Sequence, residues 1–333
     1  MAIVKSKELV AAVQDVQREA LQNTNGPKHM AIMRLHDPTR PDYYKPTASY
    51  SAQIRNHGAR IGADSSERII MPSETSRFRD ITEQLVEDPS ITGVMGLYPF
   101  SHDRSEHRDR VEIFKDVLRR RPEVDVDDIL AQGKGAPTAR AMIAMGNVCT
   151  GMMVNPGGQP YYVGRTLDSL STLDLPQNLP DGKAMTADNI RVGGRGELTG
   201  GPLVNILAAQ GVIIQPNQIA TYENPGALAN LPEHAFVFTA TPVAEQIRNE
   251  DIPDDSIMID AGFGVVDGVT YGNTSRHAAT RPSVLWTPPR EGVGPVSTSY
   301  LYENMLGATS FPMDQMPALG FVMLDDLIDY ADR

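Results

Sequence analysis

The sequence predicts a two-domain α/β protein whose second half forms a parallel sheet with helical crossovers. Three observations carry that expectation. The chain has 333 residues, enough for about two domains with substantial cores. Short apolar runs of strand length alternate with stretches of helical spacing in both halves, the pattern of parallel strands joined by helical crossovers. A glycine-rich turn, Val192-Gly-Gly-Arg-Gly-Glu-Leu-Thr-Gly-Gly-Pro202, separates one such run from the helix that follows.

The elements follow in chain order. Val4, Leu9, Val13, Val16 and Ala20 recur at helical spacing and predict an amphipathic first helix. Ala31-Ile-Met-Arg-Leu35 reads as a buried strand, closed by the turn formers His36-Asp-Pro-Thr-Arg-Pro41. Thr47 to Gly62 reads as a helix, and Arg68-Ile-Ile-Met-Pro72 as a strand stopped by proline. Phe78 to Glu87 is a second helix of this half, and Ile91 to Tyr98 a third strand. From Ala131 to Gly164 the chain is rich in Gly, Ala and Met without a clear period, which predicts an insertion or linker. Alternation resumes with a strand at Asn189–Val192 and a helix from Pro202 to Gln210. Val212–Ile214, Ala235–Phe238 and Ser256–Asp260 follow as short strands. After Gly294-Pro295, Ser297 or Thr298 is placed to N-cap a helix through Tyr300, Leu301 and Met305.

Composition narrows the function. A net charge of -12 argues against nucleic acid or an acidic membrane as partner, because either requires a basic footprint. A small anion remains compatible, held by backbone dipoles and one or two arginines. Cys149 is the one cysteine, so neither an intrachain disulfide nor a cysteine-rich zinc site can form, and no metal site is expected. A lone thiol of this kind is usually a small buried hydrophobe. Residues Met1 to Leu21 mix acids and bases and do not read as a signal peptide. No segment approaches the ~20 apolar residues that span a bilayer, and a cytoplasmic protein is expected.

The glycine-rich turn stands where a dinucleotide pyrophosphate would lie on backbone N–H groups at a helix N-terminus. Glycine suits that place because a Cβ would hold the phosphate off the backbone. The spacing is not G-x-G-x-x-G, and a ligand-free connection between strand and helix has the same composition.

Several segments, taken together, resemble the FolD family of bifunctional folate enzymes, the methylenetetrahydrofolate dehydrogenase/cyclohydrolases. Gly194-Arg-Gly-Glu-Leu-Thr-Gly-Gly-Pro202 is similar to the family's G-R-S-x-x-V-G-x-P loop. Thr287-Pro-Pro-Arg-Glu-Gly-Val-Gly-Pro295 is similar to T-P-V-P-G-G-V-G-P, and Ile257-Met-Ile-Asp-Ala-Gly262 to V-V-I-D-V-G. In the first half, Thr47, Tyr50 and Gly62 keep the spacing of the S-x-x-Y helix and its closing glycine. Leu85-Val-Glu-Asp88, Gly93-Val-Met-Gly-Leu-Tyr-Pro99 and Pro122-Glu-Val-Asp-Val-Asp127 resemble L-N-x-D, G-I-L-V-Q-L-P and P-x-K-D-V-D. The matches come in the family's order over almost the whole chain.

The resemblance implies an N-terminal α/β folate domain over residues 1–165, completed by a C-terminal helix within 297–333. A Rossmann NAD(P)-binding domain over 166–296 would lie between them in sequence, with the folate held against the nicotinamide in a cleft. The implied reaction oxidises 5,10-methylene- to 5,10-methenyl-tetrahydrofolate and usually then hydrolyses it to 10-formyl-tetrahydrofolate. The implied assembly is a homodimer. Tyr50, Leu97, Tyr98, Pro99, Asp125, Asp127, Gly292 and Pro295 are the implied substrate contacts. Gly194, Arg195, Gly196, Thr199, Gly200, Gly201, Pro202, Thr241, Pro242, Gly262, Gly292 and Gly294 are the implied dinucleotide contacts.

The departures are as informative as the matches. The family's acid/base lysine follows the tyrosine by four residues, where this chain has Ile54, which transfers no proton. The glutamine before L-P is Leu97. The pterin-holding carboxylate is kept as Asp127, with Asp125 the adjacent candidate. Tyr50 and Asp127 thus remain as catalytic candidates beside the altered Ile54, and Gln53, His57 and Lys45 are the groups near enough in sequence to replace the lysine. Hydride removal leans on the cofactor and on positioning, which supplies ~7 kcal/mol or more without a lysine. Ring hydrolysis needs a general acid/base, typically worth about 10²–10⁴-fold. The expectation is a dehydrogenase whose cyclohydrolase step is weak or absent. In the loop, Arg195 keeps the arginine that grips NADP, whereas Gly196 replaces the serine, and Glu197 and Thr221-Tyr-Glu223 add acids. NADP is the implied cofactor and NAD the alternative. Arg290 and Glu291 replace proline and glycine beside the retained Gly292-Val-Gly294. Two other readings stay open: the same fold repurposed for specialised one-carbon chemistry, and a non-catalytic folate- or nucleotide-binding paralogue.

Overall fold

The computed structural model describes residues 2–4, 6–24, 26–154, 172–177, 179, 181–221, 226–241, 243, 245–262, 264–266, 269–275, 283–307 and 328–330. The chain divides into two units. The larger comprises Met1–Val13, Ala136–Ser297 and Met313–Arg333, and the smaller Gln14–Gly135 and Thr298–Pro312.

In the larger unit, the described strands form a seven-stranded sheet in the order β12-β1-β11-β8-β7-β5-β6. These are β1 (Ala2–Val4), β5 (Ile190–Gly193), β6 (Ile219–Ala220), β7 (Phe236–Thr239), β8 (Ile257–Asp260), β11 (Leu285–Thr287) and β12 (Ile328–Tyr330). Every pairing is parallel except that of β12 with β1. Phe236, Val237, Phe238, Ile257, Met258 and Ile259 are all fully enclosed, as continuous apolar runs covered on both faces must be. Helices α5 (Pro137–Val154), α6 (Gly200–Ala209) and α7 (Gly226–Ala229) pack on these strands, and β9 (Gly264–Val266) pairs with β10 (Val269–Tyr271) as a separate hairpin.

The smaller unit is built on a three-stranded parallel sheet, β3-β2-β4, comprising β2 (His29–Leu35), β3 (Asp64–Ile70) and β4 (Gly93–Leu97). Side chains of β2 alternate between two cores. Ala31, Met33 and Leu35 pack with Ile81, Phe114 and Leu118, which belong to α3 (Phe78–Glu87) and α4 (Arg104–Leu118). Met30 and Ile32 pack with Ile54 and Ile61 of α2 (Pro41–Ile61) and with Leu301 and Tyr302 of α8 (Gly294–Leu306). Helix α2 ends on Gly62 at φ 90°, the left-handed cap for which glycine is suited. Helices α1 (Lys7–Gln22) and α8 contribute residues to both units, and α8 from Thr298 onward belongs to the smaller one.

The expected α/β class is found, and five local expectations are corrected. Val4 lies in β1, and the first helix begins at Lys7. Helix α2 starts at Pro41 rather than Thr47, because proline at the first helical position needs no N–H partner; Pro46 is carried inside. Within Ala131–Gly164, expected as insertion or linker, residues 137–154 form α5; residues 155–164 lie outside those described. Every residue from Ala139 to Thr150 is buried, so the helix has no polar face and gives no 3.6-residue pattern to read. The two units meet in sequence at Gly135/Ala136, directly before α5. Val212–Ile214 is not a strand: Gly211 at φ 81° ends α6, Val212 N–H bonds to Leu207 O, Ile213 is 55% exposed, and the strand is Ile219–Ala220. Finally, α8 begins at Gly294, directly after a π-helical turn at Pro289–Val293, so Ser297 and Thr298 are buried inside the helix rather than capping it. Strands β1, β9, β10, β11 and β12 and helices α4 and α7 had no counterpart in the sequence reading.

Candidate functional site

Within the smaller unit, α2 and β4 carry the positions that the resemblance assigns to substrate. Ile54 is wholly buried and Leu97 nearly so, both in the core cluster with Met30, Ile32 and Tyr302. Both side chains are part of the core. Tyr50 is half-buried and packs against the edge of that cluster. The Gln53 amide donates to Thr298 Oγ1 at 2.9 Å, and Lys45 is exposed. His57 is no lysine substitute. It is 4% exposed and stacked on Tyr302, with ring centroids 5.2 Å apart. Gln17 Oε1 lies 2.7 Å from Nε2 and Gln14 Nε2 lies 3.1 Å from Nδ1, which assigns a neutral ring protonated at Nε2. Burial holds its pKa down at about 3. Tyr98 and Pro99 are joined by a cis peptide bond just past β4, both half-buried.

The two acidic candidates have different surroundings. Asp125 is 1% exposed and its carboxylate is already spent, accepting the N–H groups of Leu130 at 2.9 Å and Ile129 at 3.3 Å. Asp128, at φ 55°, likewise accepts from Gln132 N at 2.7 Å and Gly135 N at 2.8 Å. Lys134 Nζ donates to the carbonyls of Glu123 and Asp125, and Asn304 Nδ2 to Val126 O at 2.9 Å, so the loop is tied down on all sides. Asp127 stands between these two acids, half-buried, with no hydrogen-bond partner among the described residues. Desolvation, aided by the carboxylates of Asp125 and Asp128, pushes its pKa up to about 7. A rigid loop presenting one unsatisfied acceptor pair is suited to a ligand that brings paired N–H donors.

Within the larger unit, the glycine-rich turn joins β5 to α6. Gly194 has φ 100°, and a Cβ there would meet Ala240 O at 2.8 Å. A Cβ on Gly200 would overlap the Gly194 carbonyl, so that glycine is what lets the turn close. Gly196 differs: no atom lies within 4 Å of a Cβ built on it, and its carbonyl accepts Gly201 N–H at 3.0 Å. Thr199, at the helix start, makes no side-chain cap, and Pro202 stands in the first turn of α6. The turn thus offers an open glycine backbone beside a helix N-terminus without a side-chain cap, a cradle fitted to a pyrophosphate. Arg195 and Glu197 are exposed on it.

Past the carboxyl ends of β7 and β8, buried polar groups brace the neighbouring loops. Asp260 accepts from Thr274 N at 2.8 Å, Gly262 N at 3.1 Å and Thr239 Oγ1 at 3.3 Å. Burial raises its pKa to about 6 against the lowering effect of those bonds. Asn273 accepts Thr241 N–H at 2.9 Å and donates to Thr241 O, and a Cβ on Gly262 would overlap the Asn273 side chain. Gly292 lies buried in the π-helical turn, where its N–H bonds to Pro288 O at 2.8 Å and a Cβ would meet Thr287 at 2.9 Å. Gly294 and Pro295 open α8, and Arg290 is exposed beside them. Pro242, Tyr222 and Glu223 lie outside the described residues. Cys149 is buried and its thiol pKa is pushed up by desolvation, so it is inert packing. Among the described residues there is no metal-ligating cluster and no helix long and apolar enough to cross a membrane.

Arg34, Glu67 and Ser51 form a buried polar group that the sequence reading missed. The signal was a single charge inside the apolar run Ala31–Leu35, which demands a partner.

The parallel sheet and its β5–α6 turn define a dinucleotide-binding α/β protein. Residues 180–312 match the family described as tetrahydrofolate dehydrogenase/cyclohydrolase, NAD(P)-binding domain. The bifunctional protein FolD of Leuconostoc mesenteroides is 23% identical over 305 residues, 91% of this chain and 96% of that protein. FolD of Thermomicrobium roseum is 26% identical over 284 residues, 84% of each chain. Among solved structures, a Trypanosoma brucei methylenetetrahydrofolate dehydrogenase-cyclohydrolase, complexed with NADP and an inhibitor, shares the fold with a TM-score of 0.61 and 17% identity. It covers 91% of this chain and 95% of its own. A Bombyx mori methylenetetrahydrofolate dehydrogenase shares it with a TM-score of 0.58 and 15% identity, covering 92% and 96%. Over most of its length the chain is similar to FolD-type methylenetetrahydrofolate dehydrogenase/cyclohydrolases, and its residues 180–312 match that family's NAD(P)-binding domain.

Proposed function

We propose that this protein oxidises 5,10-methylenetetrahydrofolate to 5,10-methenyltetrahydrofolate with NADP, NAD being the alternative, and that its cyclohydrolase step is weak or absent. The observation that carries the reading is Asp127, a half-buried carboxylate without a hydrogen-bond partner among the described residues, beside Asp125 and Asp128, whose carboxylates are spent. Its two oxygens match the 2-amino and N3–H donors of a reduced pterin, and charge-assisted pairs of that kind are the strong ones. The open backbone at Gly196 and the start of α6 would hold the dinucleotide phosphates, with Arg195 the cation available to a 2′-phosphate. When bound, the nicotinamide supplies hydride acceptance. The protein's own contribution is to orient the substrate through Asp127 and to pack Tyr50 against it, and neither act requires a proton to move.

Hydrolysis of the methenyl bridge does require one. Ile54 and Leu97 are core, His57 is buried and neutral, and Asp127 is engaged by the pterin. No group named in the substrate region is placed to activate water and protonate the departing nitrogen, which supports the unequal fate of the two steps. The test follows reduced nicotinamide at 340 nm with methylenetetrahydrofolate, and in parallel the decay of supplied methenyltetrahydrofolate. Dehydrogenation with methenyl decay no faster than in buffer is expected. Equal rates for the two steps overturn the proposal.

A further inference from the structure

A charged side chain inside a parallel strand needs a reason. Arg34 is the penultimate residue of β2 and is 7% exposed. Its Nε–H donates to Glu67 Oε1 at 2.7 Å, and the same carboxylate is held by Ser51 of α2 and lies 3.9 Å from Arg55. Among the described residues the guanidinium makes no other hydrogen bond. Nη1 is enclosed without an acceptor, and Nη2 has none among the described residues, so four of its five N–H groups are unspent. A purely structural arginine–carboxylate pair gains most when it is bidentate, and this one is held by a single edge with the fork left over.

The placement of the fork is informative. Arg34 is in register with Leu97, at the carboxyl end of a parallel sheet, where α/β proteins bind ligands. The segment leading to Asp127 runs on the far side of β4, through the parallel bridge Val94↔Asp125. That segment and β2 are therefore two strand spacings apart, about 10 Å. A long arginine side chain and a short aspartate can share one bicyclic ring across such a span.

We propose that Arg34 is a substrate-specificity residue that donates to the C4 carbonyl oxygen of the pterin whose N3–H and 2-amino group pair with Asp127. The inference rests on the folate reading above and deepens it. One edge of the ring is then read in full, donors by an acceptor and the acceptor by a donor. An arginine stays protonated throughout the working range, so it recognises without exchanging a proton. Glu67 and Ser51 act as positioning residues that aim the guanidinium.

The probes are tetrahydrofolate and tetrahydroaminopterin, which differ by an oxygen or an amino group at C4 and by the proton on N3. The N3 difference meets Asp127, which no variant changes, so a change in preference between variants reads the C4 contact. Their dissociation constants are measured by titration calorimetry on wild type, Arg34→Met, and Arg34→Met combined with Glu67→Gln. The paired variant removes both buried charges together, which proteins tolerate better than stranding one. The preference for the 4-oxo over the 4-amino ligand should fall by roughly 10- to 100-fold in whichever variant folds, the value of one hydrogen bond to a charged group. A merely structural Arg34 would alter both affinities alike. A preference within threefold of wild type in both variants overturns the role of Arg34 while leaving the folate reading intact. Wild type that binds neither ligand overturns the folate reading and this inference with it.

Discussion

Replacing Asp127 with asparagine separates binding chemistry from folding. Among the described residues nothing donates to the carboxylate, so its loss breaks no bond to them. Its folded pKa of about 7 lies above the ordinary 3.8, so ionisation opposes folding: stability present below about pH 4 is lost as pH rises to about 7. Asp127→Asn removes that penalty, and the melting temperature at pH 8 should stay level or rise. Substrate binding moves the other way. Asparagine keeps one acceptor oxygen and turns an N–H toward a donor, costing at least one charge-assisted bond, about 1.5–3 kcal/mol, together with a mismatch. The expected fall in kcat/KM for methylenetetrahydrofolate is therefore roughly 30- to 1000-fold. In wild type, kcat/KM should also drop about tenfold per pH unit below 7, because the free enzyme must carry the ionised form, and that limb should vanish in the variant. Asp125→Asn is the control, since its carboxylate braces Ile129 and Leu130: it should lower stability by about 1–3 kcal/mol. Steady-state kinetics across pH 5.5–8.5 with parallel calorimetric melts decide the matter. An Asp127→Asn enzyme within threefold of wild type, or one that loses activity by unfolding, refutes the reasoning.

Other outcomes follow from the same geometry. Gly196→Ala has open space for its methyl and should melt like wild type while weakening NADP binding at least tenfold, whereas Gly200→Ala should destabilise the β5–α6 turn outright; melts and dinucleotide titration of both variants read the contrast. His57, held near a pKa of 3, should show ring resonances that do not titrate between pH 5 and 9 by NMR. Because that value lies below the unfolded 6.5, its contribution to stability is complete above pH 6.5 and is lost at up to about 1.4 kcal/mol per pH unit as pH falls further. Asp260→Ala strips acceptors from Thr274, Gly262 and Thr239 and should cost about 3 kcal/mol or more in urea unfolding.

The α/β class, half of the described strands (β2 to β5, β7 and β8) and the glycine turn were legible in the sequence because each depends on local pattern: strand-length apolar runs, helical spacing, and glycine where a Cβ cannot fit. Gly194, Gly200 and Gly262 are constrained by backbone and side chains that a sequence reader can guess from turn chemistry. Helix α5 was not legible, since a helix buried on all sides has no period, and β11 at three residues is too short to register. At the site, the sequence left two adjacent acids open, and their different surroundings come from the tertiary structure. Asp125 is consumed by two backbone N–H groups and Asp127 by none, a difference of hydrogen-bond bookkeeping invisible in the string Asp-Val-Asp. The same holds for Ile54, His57 and Arg34. Residue type told what each could do, but burial and the count of spent hydrogen bonds, fixed by elements distant in sequence, decided which groups are left to meet a ligand.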